Sequence, residues 1–327
     1  MTMGKVETRL TYLAPGVESS LYRNGRVFTR RDSGGSDQAF HGAVTLEREV
    51  AIHDARRAQS SAPLTLAEHG FELHDRPLEV LGMDFFDHRQ VVETYYPQCA
   101  AIVRQATGAA LVRAFDHNLR WAPGKDSGKQ VAGGQQVQAP IQFVHGDYTL
   151  TSAPQRLRDL AGPPGGNDTL RAVLAAGQTL LSEDEVAGAL SDGGRFALIN
   201  VWRSIGHEPV ARDPLALCNG RSVEAEDLVV FEIHYADRIG ENYFAKHAPR
   251  HQWWYYPGMT RDEALLIKQW DAAGTLARTN GARSDASAEG VGTPCTFSFH
   301  SAFSDPATPP DAPHRQSIEV RCVALFR

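Results

Sequence analysis

The spacing of apolar positions changes character along the chain, and the change sets the predicted architecture. Upstream, residues 84–106 carry Val91, Val92, Tyr95, Tyr96, Cys99, Ile102 and Val103 at helical spacing, with Asp87 placed to cap them. Pro97 falls inside that pattern, where its missing N–H predicts a kink or a split. Shorter helices are predicted over 47–59, 153–160 and 182–190, the last opened by the capping box Ser182-x-x-Glu185. Residues 109–115 read as a strand, while 32–36 and the Gly-, Lys- and Gln-rich stretch 122–138 read as loops. Residues 162–166 are a turn and not a phosphate loop, because no Gly-Lys-Ser/Thr follows them.

From residue 195 onward the text becomes a series of short apolar runs: 196–203, 215–218, 228–235, 253–256, 265–270, 296–299 and 318–326. Many closely spaced strands preceded by helices predict a mainly β protein with flanking helices (α+β), built on a double-stranded β-helix, or jelly-roll, core. No internal repeat or linker divides the chain. One domain over 1–327 is expected, with 1–138 as helical and strand support and 139–327 as the jelly-roll core with insertions.

Composition narrows the class without changing that picture. The chain has 327 residues, 42% hydrophobic and 22% charged, with a formal net charge of -6. This describes an ordinary globular protein and gives no broad basic footprint for nucleic acid. No run approaches the ~18 apolar residues of a membrane span, and the first residues lack a signal-peptide apolar stretch. Four scattered cysteines, with no C-x-x-C, read as reduced buried thiols, and a cytoplasmic location follows as the default.

Chemistry enters at His145-Gly146-Asp147. On a strand, residues i and i+2 face the same side, so His145 and Asp147 can both point into a barrel. His300, inside the apolar run Phe297–Phe303, supplies a second imidazole. Two imidazoles and one carboxylate are the ligand set of a facial triad for Fe(II), which leaves positions open for substrate and O2. Arg315-Gln316-Ser317 follows after a Pro-rich connection. Its guanidinium fork and hydroxyl share one strand face and suit the far carboxylate of 2-oxoglutarate.

Other residues compete for roles. His251, beside Trp253 and Tyr255, is the main rival to His300 as distal ligand. Asn200, Trp202 and Arg203 lie on one predicted strand, with Arg203 the reserve co-substrate anchor. Lys268 interrupts an apolar run and reads as a snorkelling lysine at a barrel rim or as a ligand contact. Tyr148 continues the metal-bearing strand. The aromatics Trp253 and Tyr255 fit either a pocket wall or core.

These blocks together resemble the asaB-type hydroxylase/desaturase family of secondary-metabolite clusters, which includes relatives of a cephamycin 7-methoxylation component. The matching text is Val144-His145-Gly146-Asp147-Tyr148-Thr149, Asn200-Val201-Trp202-Arg203, His251-Gln252-Trp253-Trp254-Tyr255-Tyr256-Pro257-Gly258, His300-Ser301-Ala302-Phe303 and Arg315-Gln316-Ser317-Ile318-Glu319-Val320-Arg321. The resemblance implies an Fe(II)/2-oxoglutarate-dependent oxygenase that uses O2 to hydroxylate, desaturate or cyclise a small molecule. Three other readings stay open on the residues alone: an iron oxidase that does not use 2-oxoglutarate, a Zn-dependent hydrolase on the same triad, and a non-catalytic small-molecule binder.

Overall fold

The computed structural model describes residues 4–31, 39–58, 63–80, 82–165, 168–235, 238–287 and 292–327. The predicted loop at 32–36 lies outside the described residues. The protein is mainly β with few helices. In chain order its strands are β1 (Lys5–Leu13), β2 (Phe28–Arg30), β3 (Thr45–Asp54), β4 (Phe71–Asp75), β5 (Leu111–Arg120), β6 (His145–Gly146) and β7 (Arg195–Ser204). They continue as β8 (Leu215–Cys218), β9 (Leu228–His234), β10 (Ile239–Ala245), β11 (Trp253–Tyr255), β12 (Glu263–Asp271), β13 (His300–Ala302) and β14 (Ser317–Phe326).

Two sheets result. One has the order β1-β3-β11-β8-β13-β6-β10-β9-β2, the other β4-β12-β7-β14-β5. Apart from the consecutive pair β9 and β10, neighbours in each are separated in sequence, which is how residues 145 and 300 come to lie on adjacent strands. In the smaller sheet β7 is central, buried along nearly its whole length between β12 and β14. Its continuous apolar text is what a strand covered on both faces requires.

Local chemistry explains the helices. The Asp87 carboxylate accepts from the backbone N–H groups of Arg89 and Gln90, opening a helix that passes through a π-helical segment, Val91–Tyr95, into Tyr96–Thr107. The expected break at Pro97 takes this form: the wider turn comes just before the proline, which then occupies a first-turn position needing no N–H donor. Gly108, at φ 68°, closes the helix in the left-handed conformation. The capping box at Ser182 forms as predicted and opens Glu183–Leu190.

The predicted helix over 47–59 is corrected. Residues Thr45–Asp54 are strand, and only Ala55–Ala58 are helical. The charged text Glu47-Arg48-Glu49 suits a helix, but β1 offers a nine-residue antiparallel ladder from Lys5↔His53 to Leu13↔Thr45. Those cross-strand bonds override weak local propensity. The stretch 122–138 holds a short helix, Ala122–Asp126, and bridges at Gln130↔Gln136 and Arg120↔Gln138. The run expected as strand at 296–299 shifts to β13, leaving Phe297 and Phe299 buried in the core.

Candidate metal centre

Strands β6 and β13 are antiparallel neighbours, and His145 and His300 are direct Cα partners. Their ring centroids lie 4.3 Å apart. Asp147 follows two residues after His145, so its side chain returns to the same face. The Nε2 atoms of His145 and His300 stand 3.7 Å and 4.0 Å from one oxygen, Asp147 Oδ1. Those separations exceed a hydrogen bond. They approach the spacing of about 3 Å between neighbouring ligand atoms around an ion bound at roughly 2.1 Å. Each residue offers a donor within 4.8 Å of the others, the only such group of three found among the described residues.

The tautomer is set by the backbone. His145 Nδ1 lies 2.8 Å from the Phe143 carbonyl, so Nδ1–H donates and Nε2 keeps its lone pair for a metal. Gly146 permits this packing: a Cβ there would press on the Phe297 ring at 3.3 Å. Burial pushes the His145 imidazole down to about 4, helped by His300, and burial also lowers His300, so both rings are neutral. Burial alone would raise the Asp147 carboxyl. The Arg321 guanidinium opposes it most strongly, the Asn200 amide adds a hydrogen bond, and the group is held well below the usual carboxylate range. An ionised carboxylate beside two neutral imidazoles is a ready ligand set.

The second carboxylate oxygen is held from the other sheet. Asp147 Oδ2 accepts from Asn200 Nδ2 at 3.0 Å and from Arg321 Nε at 3.3 Å, while the Asp147 backbone N–H donates to Gln269 Oε1 at 3.1 Å. Asn200, Gln269 and Arg321 belong to β7, β12 and β14, so the centre sits between the sheets. Arg321 is steadied by Asp116 at 2.8 Å and Glu319 at 3.5 Å. Of this set the sequence reading singled out Asn200 and missed Gln269 and Arg321. A signal existed: Asp116, Asn118 and Arg120 on β5, and Ser317, Glu319 and Arg321 on β14, are polar stripes of period two.

Just ahead of β14, Arg315 lies over the Trp202 ring at 5.5 Å and donates through one terminal nitrogen to the Asp213 carbonyl. Asp213 has φ 50°, a conformation rare for a residue with a Cβ. Arg315 Nε and Ser317 Oγ are buried with no hydrogen-bond partner. Burial, then repulsion from Arg120, pushes the Arg315 guanidinium down to about 10. Two buried, unanswered donors two residues apart are what a bound carboxylate would satisfy.

On the other flank of His145, Phe244 is its cross-strand partner, with ring centroids 6.4 Å apart. Phe231 stacks on Phe244 at 4.0 Å and Phe143 meets it at 4.4 Å, while Phe40, 43% exposed, packs edge-on over all three. This apolar wall was not read from the sequence.

Other candidates are placed elsewhere. His251 bonds to Asp227 at 3.1 Å and to the Tyr12 hydroxyl at 3.4 Å, away from Asp147. Trp253 pairs with Cys218 and donates to Tyr12, and Tyr255 packs on Phe303. Strand period turns Trp254, not Trp253 or Tyr255, to the face of Leu217 and His300. Arg203 is fully buried and donates to the Tyr95 hydroxyl and to the carbonyls of Arg76 and Arg261, on the face of β7 opposite Asn200. Lys268 is no rim lysine: it is 2% exposed, 3.2 Å from Asp271 and bonded to the Cys295 carbonyl. Tyr148 does not continue the metal-bearing strand, which ends at Gly146; it is buried just beyond it. All four cysteines are buried and unpaired.

Comparison with known proteins gives a consistent result. Residues 10–325 match the family profile described as an oxidoreductase/YMDC permease-like domain. An uncharacterized protein in the dcmA 3' region of Methylophilus leisingeri is 44% identical over 200 residues, 61% of this chain and 91% of that protein. The Fe(II)/2-oxoglutarate-dependent dioxygenase nvfI of Aspergillus novofumigatus is 30% identical over 284 residues, 85% of this chain and 83% of its own. A solved structure of the iron and alpha-ketoglutarate-dependent endoperoxidase NvfI superposes with a TM-score of 0.72 at 23% identity, covering 99% of each chain. No helix among the described residues is long and apolar enough to cross a membrane.

Proposed function

Because this chain belongs to the oxidoreductase family whose profile spans residues 10–325, together with the Fe(II)/2-oxoglutarate-dependent dioxygenase nvfI, we propose that it is an Fe(II)- and 2-oxoglutarate-dependent oxygenase acting on a small molecule. The observation that carries the reading is the gap among His145 Nε2, His300 Nε2 and Asp147 Oδ1, closed on its far side by Asn200 and Arg321. In this reading His145, Asp147 and His300 hold the iron, and Arg315 with Ser317 takes the 5-carboxylate of 2-oxoglutarate. The two sheets form a double-stranded β-helix within one domain. A cytoplasmic role in secondary metabolism fits the hydroxylase/desaturase resemblance.

Bound iron with 2-oxoglutarate and O2 supplies the oxidation, giving succinate, CO2 and a hydroxylated or desaturated product. The protein supplies position. Asn200 and Arg321 keep Asp147 Oδ2 engaged, so the carboxylate presents Oδ1 alone. The Phe143–Phe231–Phe244 wall beside His145 excludes water and favours an apolar substrate surface there. The retained carboxylate at 147 leaves no ligand position for a halide, which argues for oxygenation over halogenation.

The test is anaerobic titration of 2-oxoglutarate into Fe(II)-loaded protein. A weak visible charge-transfer band is expected, and it should be absent in Asp147→Ala. Bound iron without a band would instead favour an oxidase that draws electrons from its substrate.

A further inference from the structure

The dicarboxylate receptor has a member that neither the Arg-x-Ser motif nor the resemblance supplies. Arg120 ends β5 directly opposite Ser317 in the β5–β14 ladder. Antiparallel partners project to the same face, with Cβ atoms about 5 Å apart. The next same-face pairs along the ladder are Asn118 with Glu319 and Asp116 with Arg321, and Arg321 reaches Asp147. A polar track therefore runs along the inner wall from the metal carboxylate to Arg120, Ser317 and Arg315. Arg120 donates through one terminal nitrogen to the Ala139 carbonyl at 3.0 Å. Its side chain is half-buried, whereas Arg315 and Ser317 are buried. Two guanidiniums and an unsatisfied hydroxyl thus converge at one end of the track. Burial weakens the charged form of both, Arg120 further weakens that of Arg315, and only the Glu319 and Asp147 carboxylates on Arg120, and Glu319 and Asp213 on Arg315, work against this. Glu319 offsets part of this charge, but Arg315 Nε and Ser317 Oγ stay without hydrogen-bond partners, which a further anion would supply.

We propose that Arg120 is a second binding arginine for the distal carboxylate of 2-oxoglutarate, so that this carboxylate lies between Arg120 and Arg315 and accepts from Ser317. The inference rests on the oxygenase reading above. It makes the site a reader of dicarboxylates: a 2-oxo acid without the second carboxylate would keep its grip on the metal and leave both arginines unanswered. Each lost charge-assisted hydrogen bond corresponds to roughly a 10- to 100-fold loss in affinity.

The experiment titrates 2-oxoglutarate and 2-oxovalerate, separately and without oxygen, into Fe(II)-loaded wild type, Arg120→Gln and Arg120→Lys, following the charge-transfer band. The expected result is a roughly 10- to 100-fold weaker 2-oxoglutarate complex in Arg120→Gln, an unchanged 2-oxovalerate complex, and partial recovery in Arg120→Lys. The 2-oxovalerate titration is the internal control for fold and metal loading. Equal weakening of both acids would overturn the assignment, because Arg120 would then act on the metal end or on the framework. Unchanged binding of both would overturn it as well. A wild type that binds iron and gives no band with either acid would remove the oxygenase reading itself, a failure distinct from the other two.

Discussion

Two polar clusters in this protein each set buried histidine against an aspartate and end in opposite states. His145, His300 and Asp147 form one; His251, Asp227 and Tyr12 form the other. In the second cluster every group is answered. His251 Nε2 meets Asp227, its Nδ1 meets the Tyr12 hydroxyl, that hydroxyl also accepts from Trp253 Nε1, and Asp227 takes Arg250 at 2.6 Å. In the first, two Nε2 atoms face one carboxylate oxygen across distances too long for hydrogen bonds. Histidine, carboxylate and burial do not by themselves mark a binding centre. Donor atoms that converge without bonding one another do, and saturated ones mark a structural network.

Matched carboxylate deletions give the largest contrast. Asp147→Ala should lower Fe(II) affinity by at least about 10³-fold, since one of three ligands is gone, with turnover lost alongside it. Asp227→Ala should retain iron and the co-substrate band but lose about 3 kcal/mol of stability, as Arg250 and His251 are left without their partner. Metal titration and denaturant unfolding of both variants measure this. Iron loss in Asp227→Ala with its fold intact would erase the distinction.

A fourth histidine sharpens the comparison through pH. His117, bonded to the Tyr96 hydroxyl at 2.8 Å and stacked on His88, is pushed down to about 4 by burial, with His88 adding to the effect. A base with a lowered folded pKa is protonated first in the unfolded chain. Its contribution is therefore complete above about pH 6.5 and lost as pH falls toward 4, up to roughly 3 kcal/mol. Urea unfolding of wild type and His117→Phe across that range should show the acid loss diminished in the variant. Identical slopes would mean that His117 does not govern it.

The smallest expected effect tests the clamp on Asp147. Asn200→Ala leaves every ligand and every formal charge in place, yet it should weaken Fe(II) binding by about 10- to 100-fold through loss of carboxylate orientation. Calorimetric titration with iron is the measurement, and an unchanged affinity would show that Arg321 alone suffices.

How much of this was legible in the text depends on whether a residue acts through local periodicity or through strand pairing. His145 and Asp147 could be read because the period of two fixes their common face without any knowledge of neighbours. His300 was legible as a candidate, but its register against His145 is a property of the β6–β13 pairing, which no local pattern encodes. Trp253 and Trp254 show the limit: one residue of slip decides which ring faces His300, and aromatic content is identical either way. Arg120, Gln269 and Arg321 were hidden for the same reason, since their significance lies in what stands opposite them. Residues Thr45–Asp54 were misread because a nine-residue partner strand, distant in sequence, outweighed a helix-like charge pattern.

The division of labour at Asp147 has a mechanical side. Its Oδ1 faces the two imidazoles of the nine-stranded sheet, while its other oxygen and its backbone N–H are gripped from the five-stranded sheet. An ion held by these three residues would act as a rivet through both layers, with one carboxylate as its shank. Any sliding of one layer against the other must then either stretch the coordination or tear the amide and guanidinium contacts behind it.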